Sequence, residues 1–170
     1  MKDIPHNGKK TEACIADAAE RINVKRKVEQ IMNREIVETK NAPAAVGPYS
    51  QAIKVGDFVF TSGQIPLNPE TGDLVDGGIE EQIRQAIENL KVVLEAAGAG
   101  LETTVKTTLF ILHMDDFPTV NTIYAELFRG NNPARSCVAV AALPKGAQVE
   151  IEAVAVCHTE VKPSSGQESV

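Results

Sequence analysis

The chain has 170 residues, 43% of them hydrophobic, with 17 basic and 23 acidic side chains for a net charge of −6. That length and apolar content suit one domain with one proper core and exclude a disordered chain; no apolar run approaches the roughly 18 residues of a membrane-spanning helix. Residues 1–40 hold nine Lys/Arg against seven Asp/Glu, so residues 41–170 carry the acidic excess and give nonspecific nucleic-acid binding little electrostatic support.

Residues 1–37 read as an N-terminal extension, partly helical or disordered. The Ala-rich stretch from Thr11 to Ala19 and the recurrence of Ile22, Val28, Ile31, Met32 and Ile36 give only a modest apolar face. The start, Met1-Lys2-Asp3-Ile4-Pro5, has no apolar stretch behind its charges, so no secretory signal is expected. Residues 38–160 read as one compact domain. Asn41 to Tyr49 is an irregular approach segment set by two prolines and a glycine. Ala52–Val55 and Phe58–Gln64 are strand-like, and Gly56-Asp57 between them predicts a tight hairpin. Asn68 to Asp73 is turn chemistry. Ile79, Ile83, Ile87, Leu90 and Leu94 then mark a helix that ends at Gly98.

Val105–Leu112 is a strand, and Phe117, Val120, Tyr124, Leu127 and Phe128 mark a second helix. Arg135–Ala142 and Val149–Val156 are strands whose short connection predicts an antiparallel pair. Residues 161–170 read as a flexible tail. The order β-β-α-β-α-β-β, two helices on one mixed sheet, is an α+β layer.

Cys14, Cys137 and Cys157 are an odd count at scattered spacing, which argues against a disulfide framework and fits a reducing, cytoplasmic compartment. His6, His113 and His158 form no paired ligand spacing, so no metal is expected. Arg135, Cys137 and Ala139 share one face of their strand, while Glu150 and Glu152 alternate with Val149, Ile151 and Ala153 in theirs. An antiparallel pairing brings Arg135 near Glu150. The pair is then either a structural ion pair or a carboxylate clamp beside a water-activating base. Cys137 reads more readily as a small core residue than as a nucleophile. Gly63, at a strand end, allows a ligand close to the backbone.

Five separated motifs carry a resemblance. They are Asn41-Ala-Pro-Ala-Ala-Val-Gly-Pro-Tyr49-Ser50-Gln51-Ala52, Thr61-Ser62-Gly63-Gln64-Ile65-Pro66, Val120-Asn121-x-x-Tyr124, Pro133-Ala134-Arg135-Ser136 and Val149-Glu150-Ile151-Glu152-Ala153. In this order and spacing the chain resembles the YjgF/RidA family of enamine/imine deaminases over roughly residues 38–158. The resemblance implies a chorismate-mutase-like fold and a homotrimer with clefts between subunits. It also implies hydrolysis of 2-iminopropanoate or 2-iminobutanoate to a 2-keto acid and ammonia. Arg135 matches the family's carboxylate clamp and Glu150 its water-activating acid/base. Tyr49, Ser62, Gly63, Asn121 and Cys137 match the remaining cleft positions, and Glu152 a glutamate outside the catalytic role. Asn132 stands where many members carry an aromatic residue, which bears on the cleft rim. No cofactor is expected, because water adds directly to an imine once a base positions it. A non-catalytic protein binding small carboxylates or a partner is the alternative.

Overall fold

The computed structural model describes residues 33–158 together with Arg21 and Val24. The reading of residues 1–37 as a partly helical or disordered extension falls mostly outside them, but its last four residues, Arg34–Val37, Ile36 among them, form a strand, β1, rather than helix. The other strands are β2 (Ala52–Val55), β3 (Phe58–Thr61), β4 (Thr104–Ile111), β5 (Ala134–Ala139) and β6 (Val149–Val156), with helices α1 (Ile79–Ala96) and α2 (Phe117–Leu127). The architecture is the expected α+β layer with one strand added at its edge.

The strands form one sheet in the order β1-β2-β3-β6-β4-β5. Every neighbouring pair is antiparallel except β4 and β5, which run parallel and are joined through α2. A parallel pair needs such a crossover because a tight turn cannot return the chain in the same direction. Gly56, at φ 57°, turns the β2–β3 hairpin so that Val55 faces Phe58. The expected pairing of β5 with β6 is not formed. The two run in opposite directions, but β4 lies between them and bonds to both.

The core is sealed by the helices on one face of the sheet. Ile83, Ile87, Leu90 and Leu94 of α1 are at most 1% exposed and meet Val59, Leu109, Ile111, Val149 and Ile151, all fully buried. α1 ends as its sequence foretells. Gly98 takes φ 80°, its N–H donates to the Glu95 carbonyl at 3.0 Å, and the Ala99 N–H donates to the Leu94 carbonyl at 2.9 Å. α2 carries Pro118 in its first turn and buries Val120, Ile123 and Tyr124. Among the described residues, no helix of residues 33–158 covers the other face of the sheet. Ile36, Phe58, Phe60 and Val138 lie on it, each between 43% and 55% exposed.

Candidate active site

Strand alternation decides which side chains leave the core. In β6, Val149, Ile151, Ala153 and Ala155 are buried against the helices, so Glu150 and Glu152 point to the open face. Glu150 reaches a cleft of about 440 Å³ at the sheet's end, bordered by Tyr49, Ser62, Gly63, Ile65, Pro144 and Lys145. Gly63 is required by that approach: a β-carbon there would lie 2.6 Å from the Glu150 carboxyl carbon. Burial, and then the like charge of Glu152, raise the Glu150 pKa above the ordinary carboxylate value. A carboxyl group so placed accepts and returns a proton nearer neutral pH than a solvated one.

The cleft walls are tied by specific bonds. The Ser62 hydroxyl donates to the Ser50 carbonyl at 2.7 Å, and the Ser62 N–H to the Gln51 carbonyl at 2.9 Å. The Tyr49 hydroxyl accepts the Val46 N–H at 3.1 Å, which folds the 46–49 loop on itself while the ring stays 52% exposed. Lys145 holds a left-handed backbone at φ 56°, and its ammonium donates to the Gly72 carbonyl at 2.7 Å, joining two turns at the rim.

Arg135 belongs to a second cluster. It is level with buried Thr107 of β4, on the helix-covered face, at the sheet edge. Its guanidinium lies 4.7 Å from the Tyr124 ring centroid and 5.6 Å from that of Phe117, and Nη2 donates to Asn121 Oδ1 at 2.8 Å. Tyr124 is in turn held by Thr107, hydroxyl to hydroxyl at 2.8 Å, and stacks on Phe128 with centroids 4.2 Å apart. This cradle fixes the plane of the guanidinium and leaves part of the fork for an anion. Cys137 sits two residues on, on the same face. Burial raises its thiol pKa and nearby Arg135 opposes that, so it is no standing thiolate.

Tyr49, Ser62, Gly63 and Glu150 therefore come together, and so do Arg135, Asn121 and Cys137, but the two sets are apart within one chain. Glu150 is level with Phe110 and Val138, three residues along from Arg135 and on the other face of the sheet. The separation is roughly 10 Å across the strands and roughly 10 Å along them. The expected Arg135–Glu150 neighbourhood fails because β4 intervenes and the two side chains alternate to opposite faces. Phe117 and Tyr124 beside Arg135, and Pro144, Lys145 and Ile65 at the cleft, were not singled out as site residues from sequence. Tyr124 and Ile65 had a signal, as parts of the Val120-Asn121-x-x-Tyr124 and Thr61–Pro66 motifs, and Phe117 read only as an apolar position of α2; Pro144 and Lys145 sit in a turn with no periodic pattern. Among the described residues, no cluster of three or more His, Cys, Asp or Glu side chains could hold a metal ion.

The comparisons bear on the family and the fold. The sequence model of the family described as Endoribonuclease L-PSP matches residues 39–157. A mouse protein named 2-iminobutanoate/2-iminopropanoate deaminase is 50% identical over 123 residues, covering 72% of this chain and 91% of its own. A Thermotoga maritima structure described as a putative endoribonuclease superposes with a TM-score of 0.71 at 53% identity, covering 74% of this chain and 98% of that one. The structure of Escherichia coli TdcF with bound serine gives 0.70 at 44% identity, covering 73% and 99%. With the five motifs, the mixed sheet and these matches in agreement, the chain belongs to the Endoribonuclease L-PSP family, that of YjgF and RidA.

Proposed function

We propose that the protein is a hydrolytic deaminase that converts short 2-imino acids, 2-iminopropanoate and 2-iminobutanoate among them, into 2-keto acids and ammonia. The observation that carries this reading is the Glu150 carboxyl, half-buried, raised in pKa and given room by Gly63 in a small cleft. The deaminase names of relatives about half identical support it, as does the serine held by TdcF, an amino acid of similar size.

In this reading Arg135 grips the substrate carboxylate with its planar fork. Glu150 takes a proton from water as the oxygen adds to the C2 carbon of the protonated imine, giving a carbinolamine. The protonated Glu150 then donates to the amino nitrogen. The C–N bond breaks, the hydroxyl oxygen becomes the keto oxygen, and its proton returns to the carboxylate. Because Arg135 and Glu150 of one chain lie on opposite faces, a second copy supplies the clamp, and a homotrimer with shared clefts meets that requirement. The exposed apolar side chains on the sheet face opposite α1 and α2 support such an assembly.

The test couples a threonine dehydratase, which forms the imine in solution, to ammonia and keto-acid detection. Ammonia release faster than the spontaneous rate supports the proposal. Tight binding of small carboxylates with no acceleration supports a non-catalytic binding protein instead.

A further inference from the structure

We propose that Gln51 is a positioning residue that fixes the cleft wall of residues 43–49, the wall carrying Tyr49 on the side of Glu150. The proposal rests on the deaminase reading for its kinetic test but not for its structural one. Gln51 is 4% exposed, immediately before β2. Its amide nitrogen donates to the carbonyls of Pro43 at 2.8 Å and Thr39 at 3.1 Å, with that of Ala42 at 3.5 Å. Its amide oxygen accepts the Thr39 N–H at 2.7 Å. Every hydrogen bond recorded for the side chain, from its amide N–H groups and to its oxygen, thus goes to one stretch of backbone.

Apart from Ala42, which is buried in the core, and a bond from the Asn41 N–H to the Thr39 hydroxyl, that stretch has little else to hold it. Among the described residues, the main-chain bond made within 38–49 is the one from the Tyr49 N–H to the Gly47 carbonyl, inside the loop itself. The bond from Val46 to the Tyr49 hydroxyl is also internal. The wall is hollow on both sides. The cleft with Glu150 lies on one, and a second hollow of about 680 Å³ lies on the other, and both are bordered by Ala44, Ala45, Tyr49 and Gln51. A loop without a packed backing keeps its place through its base, which Ala42 buries in the core and the Gln51 side chain grips by hydrogen bonds. Glu150 is held separately by β6, so a loosened wall weakens substrate binding more than proton transfer.

The experiment compares Gln51→Glu and Gln51→Leu with the full-length wild type across pH. Gln51→Glu keeps the shape and the acceptor for Thr39 but turns a carboxylate against the carbonyls of Thr39 and Pro43. Its KM should rise about tenfold at neutral pH, with kcat within about threefold. As pH falls into the carboxylate range the acid regains a proton to donate, and its KM should return toward the wild-type value. Glu38, Lys40 and Tyr49 border the outer hollow, and Glu150, Tyr49 and Lys145 the cleft. These groups are present in both proteins, so the readout is the ratio of variant to wild type at each pH, and Gln51→Leu, which adds no charge, is the control. Gln51→Leu should show the raised KM with no recovery in acid. Hydrogen exchange supplies the readout independent of turnover: residues 39–49 should exchange faster in both variants while β4 and β6 keep their protection. Wild-type KM in Gln51→Glu, a KM deficit indifferent to pH, or unchanged exchange at 39–49 overturns the proposal. A wild-type protein that turns over no imine removes the deaminase reading and leaves the exchange result to decide this one.

Discussion

Glu150 owes its raised pKa first to burial and then to Glu152 two residues further along the same face of β6. In the proposed mechanism Glu150→Gln keeps size and polarity and removes the base, so kcat should fall about 10²–10⁴-fold with a modest change in KM, measured by coupled ammonia release. The same shift has a sign in stability. The unfolded carboxyl loses its proton at lower pH than the folded one, so the folded state is penalised as pH rises from the ordinary carboxylate value through the raised one. Thermal melts should therefore show Glu150→Gln more stable than wild type at neutral pH, with the gain shrinking in acid. Arg135 fails differently. A substrate carboxylate is present in both ground and transition states, so Arg135→Ala should raise KM strongly. A desolvated charge-assisted contact is worth roughly 2–5 kcal/mol, or about 30- to several-thousand-fold in kcat/KM. Steady-state kinetics of Arg135→Lys should show partial rescue, because an ammonium lacks the fork that stacks over Tyr124.

At the scale of elements, what depended on local pattern was legible. The steps of three and four in α1, its ending at Gly98 and the Gly56 hairpin all stand where the residues put them. So does the alternation that separates Glu150 and Glu152 from their buried neighbours. What depended on strand order was not. A short link between β5 and β6 correctly implies opposite directions, but nothing local reports that β6 inserts between β3 and β4. That error moved Arg135 next to Glu150, when a strand and a change of face separate them. β1 escaped for the same reason: Arg34–Val37 has no strand signature of its own and is ordered by pairing with β2. Val37 is 5% exposed, and burying a valine contributes about 1.5–3 kcal/mol. Two truncations follow. Removing residues 1–32 should leave turnover within about threefold of the full chain, since none of the matched positions is lost. Removing residues 1–37 should lower the melting temperature by several degrees, about what a loss of 2 kcal/mol costs a domain of this size.

At the scale of the whole molecule, α1 and α2 cover one face of the sheet, and among the described residues the other carries a row of half-exposed apolar side chains from β1 to β5. Burying such a face is the driving force for self-association, and closed symmetry makes each cleft identical. Light scattering should return a trimer mass across micromolar dilution, and a monomer mass removes the shared cleft along with the trimer. The most direct test of the shared cleft mixes two inactive variants, Arg135→Ala and Glu150→Gln, by joint refolding or co-expression. If each cleft takes Glu150 from one copy and Arg135 from its neighbour, random mixing in equal amounts restores both residues in about a quarter of the clefts, and activity returns to about that fraction of wild type. Activity no greater than the sum of the two variants alone contradicts the account.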